Sequence, residues 1–107
     1  MKIADLNQRL ALEEPASVWN DSGGREVAWR LRDSVWANVE PMSGGESPVA
    51  AAMRSRLTHR IRLRYRADLA PAMRFAASGR VFDIVAVFPG TARRRWSICY
   101  CSEAVGP

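Results

Sequence analysis

Hydrophobic and polar residues alternate most regularly over residues 57–66. Apolar side chains recur at odd positions there, and the even positions include four arginines: Arg60, Arg62, Arg64 and Arg66. Because successive side chains of a β-strand point to opposite faces, this period of two predicts a half-buried strand with a basic outer face. A helix would instead spread these arginines around its circumference. His59 shares the parity of Ile61 and Leu63, so we expect it to be buried.

The same alternation recurs elsewhere in the chain. It is present over residues 9–13, 26–32, 35–40, 73–76, 80–87 and 94–101. In the second of these segments Val27, Trp29 and Leu31 share one face, which predicts another half-buried strand. The short glycine-containing connection at residues 77–79 predicts a β-hairpin. Together the segments predict one all-β domain over residues 1–107, a small antiparallel β-barrel or sandwich of about six strands.

The connection between the second and third predicted strands is long for a small β-domain. Gly44 and Gly45 lie near its start, and Ser47-Pro48 with the alanine-rich stretch that follows is typical of the beginning of a helix. We therefore expect a loop with a short helix over about residues 42–55. Long loops on compact scaffolds tend to carry function, so this segment is a candidate functional site.

Composition narrows the class of protein. A chain of 107 residues that is 48% hydrophobic forms a single core without disulfide or metal staples. It contains no run of about 18 apolar residues for a membrane span and no basic-then-apolar start typical of a signal peptide. We expect a soluble, intracellular module that does not bind a membrane.

Charge is distributed unevenly along the chain, whose net charge is +5. Residues 1–50 hold five basic residues against eight acids, a net of −3, and residues 51–107 hold eleven arginines against three acids, a net of +8. Such polarity favours a partner of opposite charge. That partner is a nucleic acid, an acidic protein surface or a second copy of the chain.

Few residues suit catalysis or metal binding. His59 is the sole histidine, and Cys99 and Cys101 are the only cysteines, too few for a zinc site. The cysteines share one face of a predicted strand, which indicates a reduced, buried pair. The two Ser-Gly-Gly stretches lack the lysine and the spacing of a phosphate-binding loop. We predict no enzyme activity, no catalytic residues, no metal and no cofactor.

The arginine-rich strand has two interpretations. It could neutralise nucleic-acid phosphates, but single-strand-binding barrels place aromatic side chains among the basic groups, and Tyr65 has the opposite parity. The favoured interpretation is a subunit-facing strand that pairs with acids on a neighbour. The candidate interface residues are Arg60, Arg62, Arg64, Arg66, Glu13, Glu14, Glu26 and Glu40.

Several ordered segments resemble one known family, the head–tail joining proteins of tailed phages, also called head closure or stopper proteins. Residues 35–42 resemble that family's V-W-A-x-V-x-P-L, and residues 58–66 resemble its T-H-x-[VI]-x-[IL]-R-Y-R. Met73-Arg74 with residues 79–84 resembles its M-R-[VI] … G-R-x-[FY]-x-I. Residues 6–12 and Arg94-Arg95 also fit. The resemblance spans about residues 3–103, although the first strand is poor in β-branched residues and the long loop is richer in alanine than in relatives.

The resemblance implies a structural protein without catalysis, found in phages, prophages and gene transfer agents. Members are small β-barrels that form rings of six or twelve copies at the neck of the particle, between the portal or adaptor ring and the tail terminator or tail tube. DNA passes through the channel without sequence specificity, and assembly is expected in the bacterial cytoplasm. In related stoppers the loop between the second and third strands closes the channel. Here that role would fall to Met42, Ser43, Gly44, Gly45 and Glu46.

A ring with head-to-tail neighbours needs two different complementary faces on each subunit, and the charge division along the chain could supply them. The runner-up function is a nucleic-acid-binding β-barrel that uses the strand from Arg60 to Arg66.

Overall fold

The computed structural model describes residues 3–42, 57–88, 90 and 95–104. A 3-10 turn, Ile3–Asp5, precedes six strands. They are β1 (Gln8–Trp19), β2 (Arg25–Pro41), β3 (His59–Arg64), β4 (Arg74–Ala77), β5 (Arg80–Phe88) and β6 (Trp96–Glu103). The predicted all-β fold of six antiparallel strands is confirmed, and the helix expected near residues 47–54 lies outside the described residues. In the part of the chain described, no helix has the length and apolarity that a bilayer span requires.

The six strands form one antiparallel sheet that closes on itself in the order β1-β2-β3-β6-β5-β4. Closure depends on a short pairing of β4 with β1, where Ala11, Leu12 and Glu13 lie opposite Ala76, Phe75 and Arg74. A register shift in the β1–β2 pairing falls between Leu12 and Glu13. Bulges of this kind bend a strand, which allows β1 to leave the closed sheet beyond this point.

The interior of the closed sheet is filled by the side chains of one parity, as the alternation predicts. His59 is 8% exposed, and its ring contacts Phe82 edge-on with centroids 4.9 Å apart. The predicted burial of this histidine is therefore confirmed. The core consists of Leu10, Leu12, Val35, Ala37, Ile61, Leu63, Leu69, Met73, Phe75, Phe82, Ile84, Cys99 and Cys101.

Both cysteines are free and buried in this core. Burial in apolar surroundings raises the pKa of Cys99 to about 12, because the thiolate would lose its hydration there. The predicted reduced, buried pair is confirmed.

The β4–β5 hairpin also follows the prediction. Its two turn residues, Ser78 and Gly79, have φ of 50° and 78°. Two consecutive positive φ values match the twist of a two-residue hairpin, and glycine adopts such a conformation without a steric penalty.

The β1–β2 hairpin extends well beyond the closed sheet. Among the described residues, β1 pairs with β4 only at residues 11–13, and β2 pairs with β3 only at residues 37–41. Residues 14–31 therefore form a two-stranded ribbon, which we call the arm. Asn20 closes its tip, where its side-chain oxygen accepts hydrogen bonds from the backbone N–H groups of Ser22 and Gly24 at 3.0 and 2.8 Å.

The arm corrects one expectation from the sequence. The alternation in residues 26–32 correctly predicts a strand, but the prediction that one of its faces is buried is wrong for Val27 and Leu31. These side chains are 65% and 61% exposed. They share a face, as predicted, but that face lies on the arm, where no other strand of the described chain covers it.

Candidate assembly surfaces

The first candidate surface is the outer face of β3. Register places Arg60 opposite Glu40 of β2, and the Arg60 Nη2 atom lies 2.9 Å from Glu40 Oε2. Arg62 approaches the same carboxylate at 3.8 Å. The hydrogen bond from Arg60 lowers the pKa of Glu40, so this carboxylate stays ionised at neutral pH.

This face keeps an excess of positive charge. The Nε atoms of Arg60 and Arg62 are buried and have no hydrogen-bond partner among the described residues. Arg64 is exposed and makes no ion pair with the part of the chain that the structure describes. Arg60 and Arg62 thus share the single carboxylate of Glu40, and Arg64 has no acidic partner among the described residues, which leaves the outer face of β3 able to accept a further acidic group.

Arg66 belongs to a second cluster, at the base of the arm. Its guanidinium donates to both carboxylate oxygens of Asp68, at 2.9 and 2.8 Å, and also pairs with Asp33. Arg32 joins the cluster through Asp68 at 2.6 Å and Glu14 at 3.0 Å. The hydrogen bonds from Arg66 hold the pKa of Asp68 well below its usual range. The cluster ties the arm to the turn that follows β3.

The remaining acids of the predicted interface have partners within the chain. Glu13 accepts a hydrogen bond from Arg74 at 2.7 Å, Glu14 also pairs with Arg30 at 3.1 Å, and Glu26 accepts from Asn20 at 3.3 Å. The structure thus brings Glu40 to the arginines of β3 but does not bring Glu13, Glu14 or Glu26 there within one chain. That these groups bind a neighbouring subunit stays a prediction.

A third group of polar residues lies where the long connection leaves and re-enters the sheet. The backbone N–H of Met42 donates to the carbonyl of Thr58 at 2.9 Å, which holds the two ends of this connection together. Next to it, Arg80 pairs with Glu103 at 2.8 Å. Of the predicted channel loop only Met42 is described; residues 43–46 lie outside the described residues.

His59 lies beside this group, and its contacts stabilise the fold. Its Nδ1 atom lies 2.9 Å from the Thr58 hydroxyl, and that hydroxyl accepts a hydrogen bond from the backbone N–H of Glu103 at 2.6 Å. Burial lowers the pKa of His59, because the charged imidazolium would lose its hydration. The imidazole is therefore neutral at pH 7.

The fourth candidate surface is one face of the arm. Cross-strand pairing places Pro15 opposite Trp29 and Trp19 opposite Arg25. Trp19 is 69% exposed, whereas Trp29 is partly covered by the Arg74 guanidinium, 4.1 Å from its ring centroid. By strand parity, five large apolar side chains share this face, which we call the apolar face of the arm: Pro15, Trp19, Val27, Trp29 and Leu31.

A cleft lies beside the base of the arm. The pairing of β2 with β3 ends at Ala37 and Leu63, and the two strands diverge beyond this point. The resulting cleft has a volume of about 290 Å³. It is lined by Asp33, Ser34, Val35, Trp36, Leu63, Arg64, Tyr65 and Arg66.

Sequence reasoning missed the Asp33 and Asp68 carboxylates as partners of Arg66, and it missed both the arm and the cleft. The sequence did contain a signal for the Arg66–Asp68 pair, because Asp68 follows Arg66 by two residues and the arginine side chain is long enough to reach it. The sequence contained no signal for the arm, because hydrophobic and polar residues alternate in the same way whether or not a second layer of protein covers a strand.

Comparisons with known proteins indicate the function to which these surfaces contribute. Residues 1–104 match the model of the phage head completion protein family. A chain in the virion of a native gene transfer agent particle is 28% identical, with a TM-score of 0.64, and the match covers 94% of this chain and 96% of that one. The solution structure of protein SF1141 from Shigella flexneri 2a is 25% identical, with a TM-score of 0.73, and the match covers 100% of both chains. No curated protein matches this chain.

The family match covers nearly the whole chain, and the similar chain from a gene transfer agent is itself part of a virion. The resemblance to head–tail joining proteins is thereby confirmed. This chain belongs to the phage head completion proteins, a family of structural virion proteins of the head–tail region.

Proposed function

We propose that the chain assembles into a homo-oligomeric ring at the neck of a phage or phage-like particle. This ring would extend the channel of the portal or adaptor, retain the packaged DNA and provide the surface on which the tail terminator or tail tube docks. Family membership and the likeness to a gene transfer agent chain support a head–tail role. The ring, the closed channel and the partners are the new part of the proposal.

The observation that carries the proposal is that the arm and the long connection belong to opposite ends of one strand, β2. The arm includes the start of β2, and the long connection follows Pro41 at its end. Pro41 lies ten positions beyond Leu31, which corresponds to roughly 33 Å along an extended strand. The arm is therefore available to a neighbour at one end of β2, and we assign the connection at the other end to the channel.

The two faces that a head-to-tail ring requires are also present. The outer face of β3 carries Arg60, Arg62 and Arg64 against the single acid Glu40. The arm is apolar on one face and carries Asp21 and Glu26 toward its tip. These surfaces differ in chemistry and lie on different parts of the subunit, so one can face the other on an adjacent copy.

The channel-closing role is assigned to residues 42–46. The hydrogen bond between Met42 and Thr58 holds the ends of the long connection together, so the connection leaves the sheet at one place. A loop whose two ends are held together is suited to narrowing the channel of a ring, because every subunit contributes one copy of the loop at the same position along the channel axis.

The test is to assemble particles in cells that lack this chain. The proposal expects DNA-filled heads that carry no tails and lose their DNA on storage, and it expects tailed, DNA-retaining particles once the wild-type chain is supplied. Tailed particles that retain their DNA without the chain would overturn the proposal.

The interface prediction is tested by reversing charge on β3. We expect R62E/R64E to abolish ring formation and head completion, because the reversed side chains would repel acids on the neighbour. R62K/R64K retains the charge and is the matched control, for which we expect assembly. Normal assembly of the charge-reversed variant would contradict this role of β3.

Charge-neutralising variants of β3 address the nucleic-acid alternative. A dedicated DNA-binding module would show tight, steeply salt-dependent DNA affinity as an isolated chain, lost when Arg60, Arg62 and Arg64 are neutralised. The ring proposal expects only weak, sequence-independent binding, because intramolecular ion pairs with Glu40, Asp33 and Asp68 already offset part of this charge.

A further inference from the structure

The arm exposes an apolar face that, apart from the Arg74 guanidinium over Trp29, no other strand of the described chain covers. Trp19, Val27 and Leu31 are 69%, 65% and 61% exposed. An isolated two-stranded hairpin is only marginally stable in water, and it usually requires a third strand or another layer of protein on one face. Clusters of large exposed apolar side chains rimmed by polar residues mark interaction sites.

The closed sheet of the same subunit does not supply the missing layer. The seven residues from Arg25 to Leu31 span roughly 20 Å of extended strand, so the tip of the arm lies far from the sheet. The cluster formed by Arg32, Asp68 and Arg66 fixes the base of the arm and opposes folding back. Within the described residues nothing else covers Trp19, Val27 and Leu31, which favours a second molecule as the covering layer.

The cleft beside the base of the arm is a surface of this same chain that suits the apolar face of the arm. Trp36 and Tyr65, 52% and 36% exposed, line the cleft between β2 and the end of β3. The cleft is basic at its rim, because Arg64 lacks an acidic partner among the described residues and Arg9 lies over the Trp36 ring at 5.4 Å.

The arm presents complementary chemistry. Its tip holds Trp19, with the Arg25 guanidinium over the ring at 4.6 Å, and the acid Asp21 two residues further along the chain. Glu26 lies opposite Val18, on the other face of the arm. The aromatic side chain suits an aromatic-lined cleft, and the Asp21 carboxylate suits its basic rim.

We infer that the apolar face of the arm packs across the Trp36–Tyr65 cleft of a second copy of this chain, with Trp19 as the anchor. The contact rests on the proposed ring and gives it a subunit-to-subunit joint. Because the arm and the cleft are different surfaces, the contact is head-to-tail, and it generates a ring when the rotation between neighbours closes.

The expected strength of the joint follows from its size. An aromatic side chain such as Trp19 offers about 150–250 Å² in all, and Val27 and Leu31 are smaller, so the exposed parts of the three side chains bury on the order of 300 Å². A stable pair of proteins buries about 800 Å² on each partner. One joint is therefore too weak to hold a dimer in dilute solution, and a ring, in which each subunit makes two joints, stabilises it.

The test uses photo-crosslinking from the arm. A benzoylphenylalanine residue replaces Trp19 in the full chain, which is irradiated both at high concentration in solution and in purified particles. We expect an adduct of twice the chain mass, with the crosslink mapped to the peptide that contains Trp36 or to the one that contains Tyr65. The same photoreactive residue at Val85 is the control. That side chain is exposed on β5, outside the arm, and should give at most one tenth of this adduct.

A second pair of variants tests the apolar face itself. V27S/L31S should lower the yield of the adduct at least tenfold while the thermal midpoint stays close to that of wild type, because both side chains are already exposed. V27I/L31M retains the apolar face and should restore the yield. A Val27 crosslinker replaces the Trp19 crosslinker if the latter chain does not fold.

Two results would overturn the inference. One is an adduct between the arm and a protein of different mass, and the other is the absence of a self-adduct both in solution and in particles that contain the chain. In the second case a chain located at the neck would leave the proposed function intact. Particles in which the chain is absent would count against the proposed function, while a self-adduct in solution would still support the joint.

Discussion

Asp68 links the base of the arm to the turn that follows β3. Its carboxylate accepts two hydrogen bonds from Arg66 and one from Arg32, at 2.9, 2.8 and 2.6 Å. It thereby joins β2, at the base of the arm, to the turn after β3. We predict that D68N, which keeps the shape of the side chain and removes its charge, destabilises the fold and loosens the arm.

The magnitude follows from the geometry of the cluster. Hydrogen bonds between charged groups contribute about 1.5–3 kcal/mol when protected from water, and fully exposed ion pairs contribute about 0–1 kcal/mol. The side chains of Asp68 and Arg66 are 25% and 24% exposed, between these limits. We therefore expect D68N to lower the free energy of unfolding by about 2 kcal/mol, which for a domain of this size lowers the melting temperature by roughly 8–16 °C.

The dependence on pH gives a second readout. The pKa of the Asp68 carboxyl is well below its usual range in the folded chain, mainly because of the hydrogen bonds from Arg66. Its contribution to stability is therefore fully present above the unfolded pKa of about 3.9 and declines as the pH falls toward the folded pKa. The difference between wild type and D68N should be largest near pH 7 and shrink below about pH 4.

Urea denaturation at several pH values measures both effects. The matched control is D21N, the same substitution at the tip of the arm, where no ion pair to Asp21 exists among the described residues. We expect its stability to stay within about 0.5 kcal/mol of wild type. A loss below 0.5 kcal/mol for D68N at pH 7, or a difference that does not change down to pH 3, would refute this account of the cluster.

Three further predictions concern the closed sheet. F75A removes a fully buried ring and should lower the free energy of unfolding by about 3–5 kcal/mol, whereas V85A, at an exposed position, should lower it by less than about 1 kcal/mol in the same urea titration. Cys99, with its pKa raised to about 12, should react with a thiol reagent at pH 8 at least a hundredfold more slowly in the folded chain than in urea; equal rates would show that it is not buried. G90A should lower the melting temperature far more than G79A does. Both glycines have positive φ, but only at Gly90 would an added Cβ collide with the carbonyl oxygen of Trp96. Equal losses of melting temperature would contradict this.

The sequence predicted which side chains share a face, because strand alternation is a local property. The strand from Arg60 to Arg66 illustrates how far this extends. Ile61 and Leu63 enter the core, as expected, but Tyr65, which has the same parity, is exposed. Three of the arginines divide between two clusters: Arg60 and Arg62 contact Glu40, and Arg66 contacts Asp33 and Asp68. That division depends on where β2 and β3 separate, which is decided by contacts distant in sequence.

The arm shows where such prediction fails. Residues 9–13 were expected to form a short first strand, and the structure has a strand of 12 residues, Gln8–Trp19. Proline at position 15 and the small residues Ala16 and Ser17 weaken the local strand signal, and pairing with β2 overrides it. Whether Val27 faces the core or the solvent depends on a covering layer, which alternation does not encode.

The cleft could not be predicted from the sequence either, because it depends on contacts between distant parts of the chain. Trp36 and Tyr65 are far apart in the chain, and they line the same cleft because β2 and β3 diverge past Ala37 and Leu63. The uneven charge along the chain predicted a partner of opposite charge, and this stays a prediction. It did not distinguish pairs that form within a subunit, such as Glu13 with Arg74, from pairs available to a neighbour.

Electron cryomicroscopy of purified particles tests the central claim most directly. The account predicts a ring of density at the neck into which several copies of this closed sheet fit, with each arm on the adjacent copy and residues 42–46 on the side of the channel. Particles whose neck contains no density for this chain would contradict it.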